Sequence, residues 1–321
     1  MFRSFAAAAI ATVASADQIS SKFMEHVIQF EKSFATVEEF LYRKHIFAQL
    51  DAEIEAENAL GNNFTLGHNQ FSTYSKSEFT KMLGFVESLE SYPAKAYTPS
   101  NANYSPVDWR TEGAVTPVKD QGQCGSCWTF SSTGAAEGAH QILSGDLLSF
   151  SEQQLVDCAK FIAFGCNGGN EATAFNYLKK HPIMSEASYP YTGVDTADCL
   201  QDDSAAYDIY VADFIAVTPN SVDALKAALA DGPVSVNIEA DKLVFQTYST
   251  GVLDSTKCGT TIDHAVLAVG WGTDATAGDY YIVKNSWAST WGDAGYIKIA
   301  AVDGIGICGI QSGPYQPTVT A

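Results

Sequence analysis

The stretch QGQCGSCWTF, Gln121 to Phe130, sets Cys124 and Cys127 three residues apart. Such a pair is half of a zinc site, a redox couple, or a structural cysteine beside a reactive one. Zinc needs a second close ligand pair; Cys158 and Cys166 are eight apart and no His-x₃₋₅-His occurs, so no metal or other cofactor is expected. A thioredoxin-like couple would follow a strand in a small βαβ unit, whereas Pro117-Val118-Lys119-Asp120-Gln121-Gly122 reads as a loop. The third reading requires one unpaired thiol and a base to serve it.

The remaining cysteines are Cys158, Cys166, Cys199, Cys258 and Cys308, seven in all and none before residue 124. The chain begins with Arg3, an apolar run from Phe5 to Val13 and an Ala14-Ser15-Ala16 cleavage pattern, which reads as a secretory signal peptide over residues 1–16. An oxidising lumen makes disulfides the expected state, and an odd count leaves one thiol over. Of the six histidines, His264 opens the apolar run Ala265–Val269, which reads as a buried strand. Asn285 follows a second apolar strand and precedes Trp287 and Trp291. An amide there can hold an imidazole in one tautomer, with an indole shielding the bond from water.

Together, Val107-Asp108-Trp109-Arg110, Gln121 to Trp128, SEQQLVDC, GCNGG, DHAVLAVGWG and KNSWASTWGDAGY run in the order found in papain-family (cathepsin L-like) cysteine endopeptidase precursors. The chain is similar to that family over nearly all of its later two thirds, and Cys124-Gly125-Ser126-Cys127-Trp128 carries the nucleophile signature. The resemblance implies an α+β, two-lobed papain-like fold. A mainly helical lobe, roughly Thr111 to Val211, would carry Cys127. A β-barrel-like lobe, roughly Ala212 to Val302, would carry His264 and Asn285, with the cleft between them. It implies Cys127 as nucleophile, His264 as acid and base, Asn285 as orienter, and Gln121 with the Cys127 N–H as oxyanion donors. It also implies disulfides Cys124–Cys166, Cys158–Cys199 and Cys258–Cys308. Ser126 to His140 reads as a helix start rich in small residues, which would put Cys127 in a first turn whose dipole favours a thiolate.

For substrate, the resemblance implies strand pairing along Gly168 and Gly169, with Gly125 lining the neighbouring pocket and Asp263 and Trp287 in the binding set. The pocket for the substrate residue second before the scissile bond (P2) would be walled by Asn170, Glu171, Asn237 and Ile262 and floored by Gly313. Relatives are apolar at most of these positions, so a bulky apolar P2 preference is in doubt. Glu171 either rewards a basic P2 side chain or points to solvent.

Residues 17–102 resemble an inhibitory propeptide. Glu39, Arg43, Phe47, Ile54 and Asn58 fit its ERFNIN helix, with Leu50 where the family has asparagine. Gly67-His68-Asn69-Gln70-Phe71 fits GxNxF, but Thr73 replaces the acidic residue that ends it, which puts the pH trigger that the resemblance implies in doubt. The peptidase domain would span 103–321. The net charge is −19, of which −15 falls after Ala102 (10 Lys+Arg, 25 Asp+Glu). So acidic a body argues against nucleic acid and anionic membrane. The expected partners are protein and peptide substrates, the chain's own propeptide and cystatin-like inhibitors, for a monomer. The expected setting is the secretory pathway, in a lysosome or digestive vacuole or secreted, with activation at acidic pH. Asn63 and Asn103 lie in N-x-[ST] acceptor sequences. Two rivals from other classes are a catalytically dead homologue, which an intact Gln121, Cys127, His264 and Asn285 disfavour, and a thiol–disulfide oxidoreductase, which a Cys124–Cys166 bond would exclude.

Overall fold

The computed structural model describes residues 18–87, 94–95, 104–160, 163–196 and 198–320. The signal-peptide reading, the maturation boundary and Asn103 lie outside the described residues. Among these residues, no helix is long and apolar enough to cross a membrane.

Residues 18–29 form α1, and Val37–Asn58 form α2, whose N-cap Thr36 accepts from the Glu39 N–H. Asn58 then ties the helix end to β1 (Phe64–Leu66), donating to the Leu66 carbonyl at 2.9 Å and accepting its N–H at 2.8 Å. A Ser75–Glu78 capping box starts the short α3 (Lys76–Phe79), and Arg43 from α2 holds Glu78 at 2.5 Å and 2.7 Å. Phe47 and Ile54 on α2 are buried, and Leu50 packs against the apolar cluster that the N-terminal segment shares with the sheet-rich lobe, so the departure at this position is filled by an apolar contact.

The remaining elements are β2 (Ala94–Lys95), β3 (Val107–Asp108), α4 (Cys127–Ser144), α5 (Glu152–Cys158), α6 (Glu171–Leu178), β4 (Val211–Val217), α7 (Val222–Asp231), β5 (Val234–Ile238), α8 (Leu243–Gln246), β6 (Tyr248–Leu253), β7 (His264–Asp274), β8 (Gly278–Lys284), β9 (Tyr296–Ala300) and β10 (Tyr315–Val319). The strands run in the order β1-β6-β9-β8-β7-β5-β10-β4-β2, with β3 on β7. Pairing is antiparallel except at β6–β9 and β2–β4.

Strand β7 joins the two lobes. Its side chains alternate across the sheet, so Val266 and Ala268 enter the core of the sheet-rich lobe while Ala265, Leu267 and Val269 enter that of the helical lobe. Helix α4 lies against the second face, and close approach is possible because a Cβ at Gly134 would sit 2.7 Å from the Leu267 side chain. The lobes are less separate in sequence than the expected division at residues 211 and 212. Strand β10 returns to pair with β4 and β5 and puts Val319 into the helical-lobe core, while β3 crosses to β7. Backbone groups of β4 and of the Gly270–Trp271 stretch of β7 would otherwise lack partners, and β10 and β3 supply them.

Candidate active site

Cys127 is the first residue of α4, preceded by Ser126, whose side chain makes no cap bond to the helix and instead meets the Tyr191 hydroxyl at 2.6 Å. The helix N–H groups and their dipole are therefore left to act on the sulfur. The structure joins Cys124 to Cys166, Cys158 to Cys199 and Cys258 to Cys308, and among the described residues Cys127 is the free cysteine. With Cys124 bonded, the pair cannot cycle as a redox couple.

His264 is fully buried at the start of β7, where the Ala265 N–H donates to Cys127 Sγ at 3.4 Å. Its Nε2 donates to Asn285 Oδ1 at 2.9 Å, and its Nδ1 is buried without a hydrogen-bond partner. Trp287 stacks on the imidazole at 4.6 Å, shielding the Asn285 bond from water. Gln121 is equally fixed: Ser286 Oγ donates to its Oε1 at 2.7 Å, and its backbone N–H donates to the Ser286 carbonyl. Gln121 Nε2 points to the Cys124 carbonyl at 2.9 Å and to the Met82 carbonyl at 2.8 Å.

Met82 belongs to the N-terminal segment, which runs through the cleft. The Gly84 backbone N–H bonds to Cys127, the Gly169 N–H donates to the Gly84 carbonyl at 2.9 Å, and the Val86 N–H donates to the Gly169 carbonyl at 2.8 Å. Asn170 Nδ2 holds the Val86 carbonyl at 2.9 Å, and the Phe85 N–H donates to the Asp263 carbonyl at 3.1 Å. A Cβ on Gly84 would lie 1.8 Å from the Gly125 carbonyl oxygen, so only glycine permits this approach. Phe71 and Phe79 close the far side, meeting Trp287 edge-on at 5.4 Å and 5.3 Å. Burial under this segment pushes the Cys127 thiol up to about 12 and His264 down to about 4. Both groups are neutral in this state.

The chain matches the papain family cysteine protease domain over residues 104–318 and the cathepsin propeptide inhibitor domain (I29) over 23–79. It belongs to the papain family of cysteine proteases. It is 42% identical over 301 residues to digestive cysteine proteinase 3 of Homarus americanus, covering 91% of this chain and 92% of that one. It is 40% identical over 321 residues to cathepsin L of Sarcophaga peregrina, covering 94% of each. A solved digestive procathepsin L2 proteinase from Tenebrio molitor larval midgut superposes with a TM-score of 0.85 at 35% identity, covering 94% of this chain and 99% of that one. This papain-family chain is a cysteine endopeptidase made as a zymogen whose own propeptide is its inhibitor, and peptides are its substrates.

Gly125, Gly168, Gly169, Asn170 and Asp263 meet the backbone of residues 84–86, whereas Glu171, Asn237 and Gly313 cluster behind them. Glu171 does not point to solvent: it is 0% exposed, because the first turn of α6 aims it inward between β5 and β10. Ile262 is half-buried, its side chain reaching toward Gly309. Asp263 accepts from the Ala240 N–H at 2.7 Å, and burial, with Asp241 and Glu239 nearby, pushes it up to about 7. Met82, Gly84, Tyr191 and Ser286 were missed from the sequence. Ser286 had a usable signal, since it adjoins Asn285 in KNSW. Gly84 had none, because a glycine in an unpatterned stretch does not reveal what it will approach.

Proposed function

We propose that Cys127, His264, Asn285 and Gln121 carry the hydrolysis, that residues 17–102 are the inhibitory propeptide between a 1–16 signal peptide and a 103–321 peptidase domain, and that acid releases it. The carrying observation is that Gln121 Nε2, the Cys127 sulfur and Gly169 are all engaged by the propeptide backbone at 82–86. These are the groups that a substrate backbone would need.

Once the propeptide leaves, water reaches both groups, and a proton passes from Cys127 to His264 to give a thiolate–imidazolium pair favoured by the α4 dipole. The thiolate attacks the peptide carbonyl, and the oxyanion is held by the Cys127 N–H and Gln121 Nε2. His264 protonates the leaving amine as the C–N bond breaks. It then takes a proton from the water that hydrolyses the thioester, and the cycle closes with Cys127 free.

The acid trigger rests on two propeptide histidines. His26 is buried between Phe30 and Phe47 with no hydrogen bond to either nitrogen; burial takes it down to about 4, with Lys32 and His68 adding like charge. His68 stacks on Phe47 and is lowered chiefly by burial, opposed by its bond to Asp51, with Lys22 and Glu55 nearby. A group whose folded value is depressed below 6.5 stabilises the folded segment above that pH; for His26 this contribution is lost as pH falls from about 6.5 toward about 4, and His68 acts in the same direction. Across that window His26 costs about 1.4 kcal/mol per pH unit. Arg43 holds Glu78 down to about 2, and the Thr73 position carries no carboxylate, so neither titrates in this window. His26→Leu, which keeps the packing and removes the proton site, should move the processing midpoint down by roughly half a pH unit or more. Precursor incubated from pH 7 to 4 and resolved by size decides; an unchanged midpoint in His26→Leu refutes the trigger, and absence of processing and peptidase activity at every pH refutes the zymogen reading.

Three disulfides and the digestive relatives support an oxidising, acidic lumen of the secretory pathway, a lysosome or digestive vacuole, or secretion. A cleft that admits one extended backbone also suits a cystatin-like inhibitor, and the enzyme acts as a monomer. Asn63, exposed beside Asp254, suits glycan attachment.

A further inference from the structure

Glu171 and Asn237 leave two buried oxygens without partners. Asn237 Nδ2 donates to Glu171 Oε2 at 3.3 Å and to the Gly313 carbonyl at 3.4 Å, which leaves Glu171 Oε1 and Asn237 Oδ1 bare. A buried polar atom without a partner costs about 1–3 kcal/mol, and two in one pocket are a standing demand for a donor. The pocket adjoins the cleft. Glu171 follows Asn170, whose side chain grips the Val86 carbonyl, and lies near enough to Cys127 for their charges to interact. Space is open beside Gly313, whose carbonyl meets Asn237, since nothing lies within 4 Å of a Cβ built there.

We propose that Glu171 and Asn237 select substrates whose P2 side chain ends in N–H donors, glutamine, lysine or arginine, over apolar ones. This rests on the endopeptidase reading of the cleft and adds the substrate class. A straight four- to five-atom side chain carries an N–H group to both bare oxygens, while leucine leaves them unpaired. A site built to hydrogen-bond a substrate rejects the analogue that lacks the donor far more strongly than a greasy pocket rejects a missing methylene. The groups facing Glu171 are Asn237 from β5, Tyr315 from β10 and Cys127 from α4, and none is a cation. In the covered precursor burial pushes Glu171 up to about 7, so a carboxyl that stays buried behind Asn170 after maturation is neutral in acid and gains charge as pH rises. Neutral Glu171 suits glutamine, and ionised Glu171 suits arginine.

Mature enzyme is assayed on fluorogenic peptides that share P1 and carry leucine, glutamine or arginine at P2. At pH 5.5, kcat/KM for glutamine should exceed that for leucine by about 10-fold or more. The arginine-to-glutamine ratio should climb several-fold between pH 5.5 and 7.5. Glu171→Leu should invert the glutamine-to-leucine order. Glu171→Gln, the conservative change, should keep glutamine turnover and abolish the pH dependence of the ratio. Preferred cleavage of the P2-leucine peptide by the wild-type enzyme, or a profile unmoved in both variants, overturns the inference while leaving the peptidase intact. Failure to cleave any of the three peptides would instead count against the endopeptidase reading itself. Should Glu171→Leu not fold, the wild-type profile and Glu171→Gln decide alone.

Discussion

Cys127→Ala should lower kcat/KM by about 10⁶-fold, to background, with the precursor still folded and its three disulfides intact. The sulfur leaves the covalent path with no substitute, because the other six cysteines are bonded to one another. Little of the fold rests on it: the sulfur accepts from backbone N–H groups such as Ala265, at a long 3.4 Å, and Gly84, and alanine suits the first turn of α4. The variant should therefore elute as a full-length precursor and remain one at acidic pH, since self-cleavage is lost with turnover. Peptide hydrolysis and non-reducing peptide mapping of the purified variant check both halves. Surviving self-processing would mean that another group carries the nucleophile.

His264→Ala should cost nearly as much, because in the proposed mechanism the same ring takes the thiol proton, gives one to the leaving amine and activates the water. Asn285→Ala should cost far less, about 10² in kcat, since the amide only orients a ring that Trp287 also holds by stacking at 4.6 Å. The Asn285 variant should also show a broadened pH–rate profile with KM little changed, as the ring samples orientations without losing its proton chemistry. Steady-state kinetics of both variants across pH 4 to 8 distinguishes the roles. Equal losses would contradict a division into proton carrier and positioner.

The proposed triad is legible in the sequence because each member sits in a short motif whose local physics is visible: Cys127 before a run of small residues, His264 at the head of an apolar strand, Asn285 between a strand and two tryptophans. Their meeting comes from β7, whose two faces serve two cores, so the imidazole at its start is carried against the first turn of α4. The course of residues 82–86 is not legible. No periodicity marks this stretch, and its place is set by backbone pairing with Gly169 and by the absence of a side chain at Gly84. Glu171 shows the same limit: a glutamate opening a helix ordinarily faces water, and its burial depends on β5 and β10, which are far away in the chain. The lobe boundary failed for a related reason, since β10 pairs with β4 across about a hundred residues that carry no mark of it. His26 and His68 were passed over because each is a lone histidine in a helical or loop stretch until Phe47 brings them together.

The central claim is a complete nucleophilic site held neutral and covered by the propeptide. Alkylation of thiols by iodoacetamide, mapped by mass on precursor and on acid-matured enzyme at the same pH, tests it most directly. The account predicts modification of Cys127 alone, absent or very slow in the precursor and fast in the mature form, with activity falling in step with the modified fraction. Equal rates of Cys127 modification in the two forms, or loss of activity with Cys127 unmodified, would contradict it.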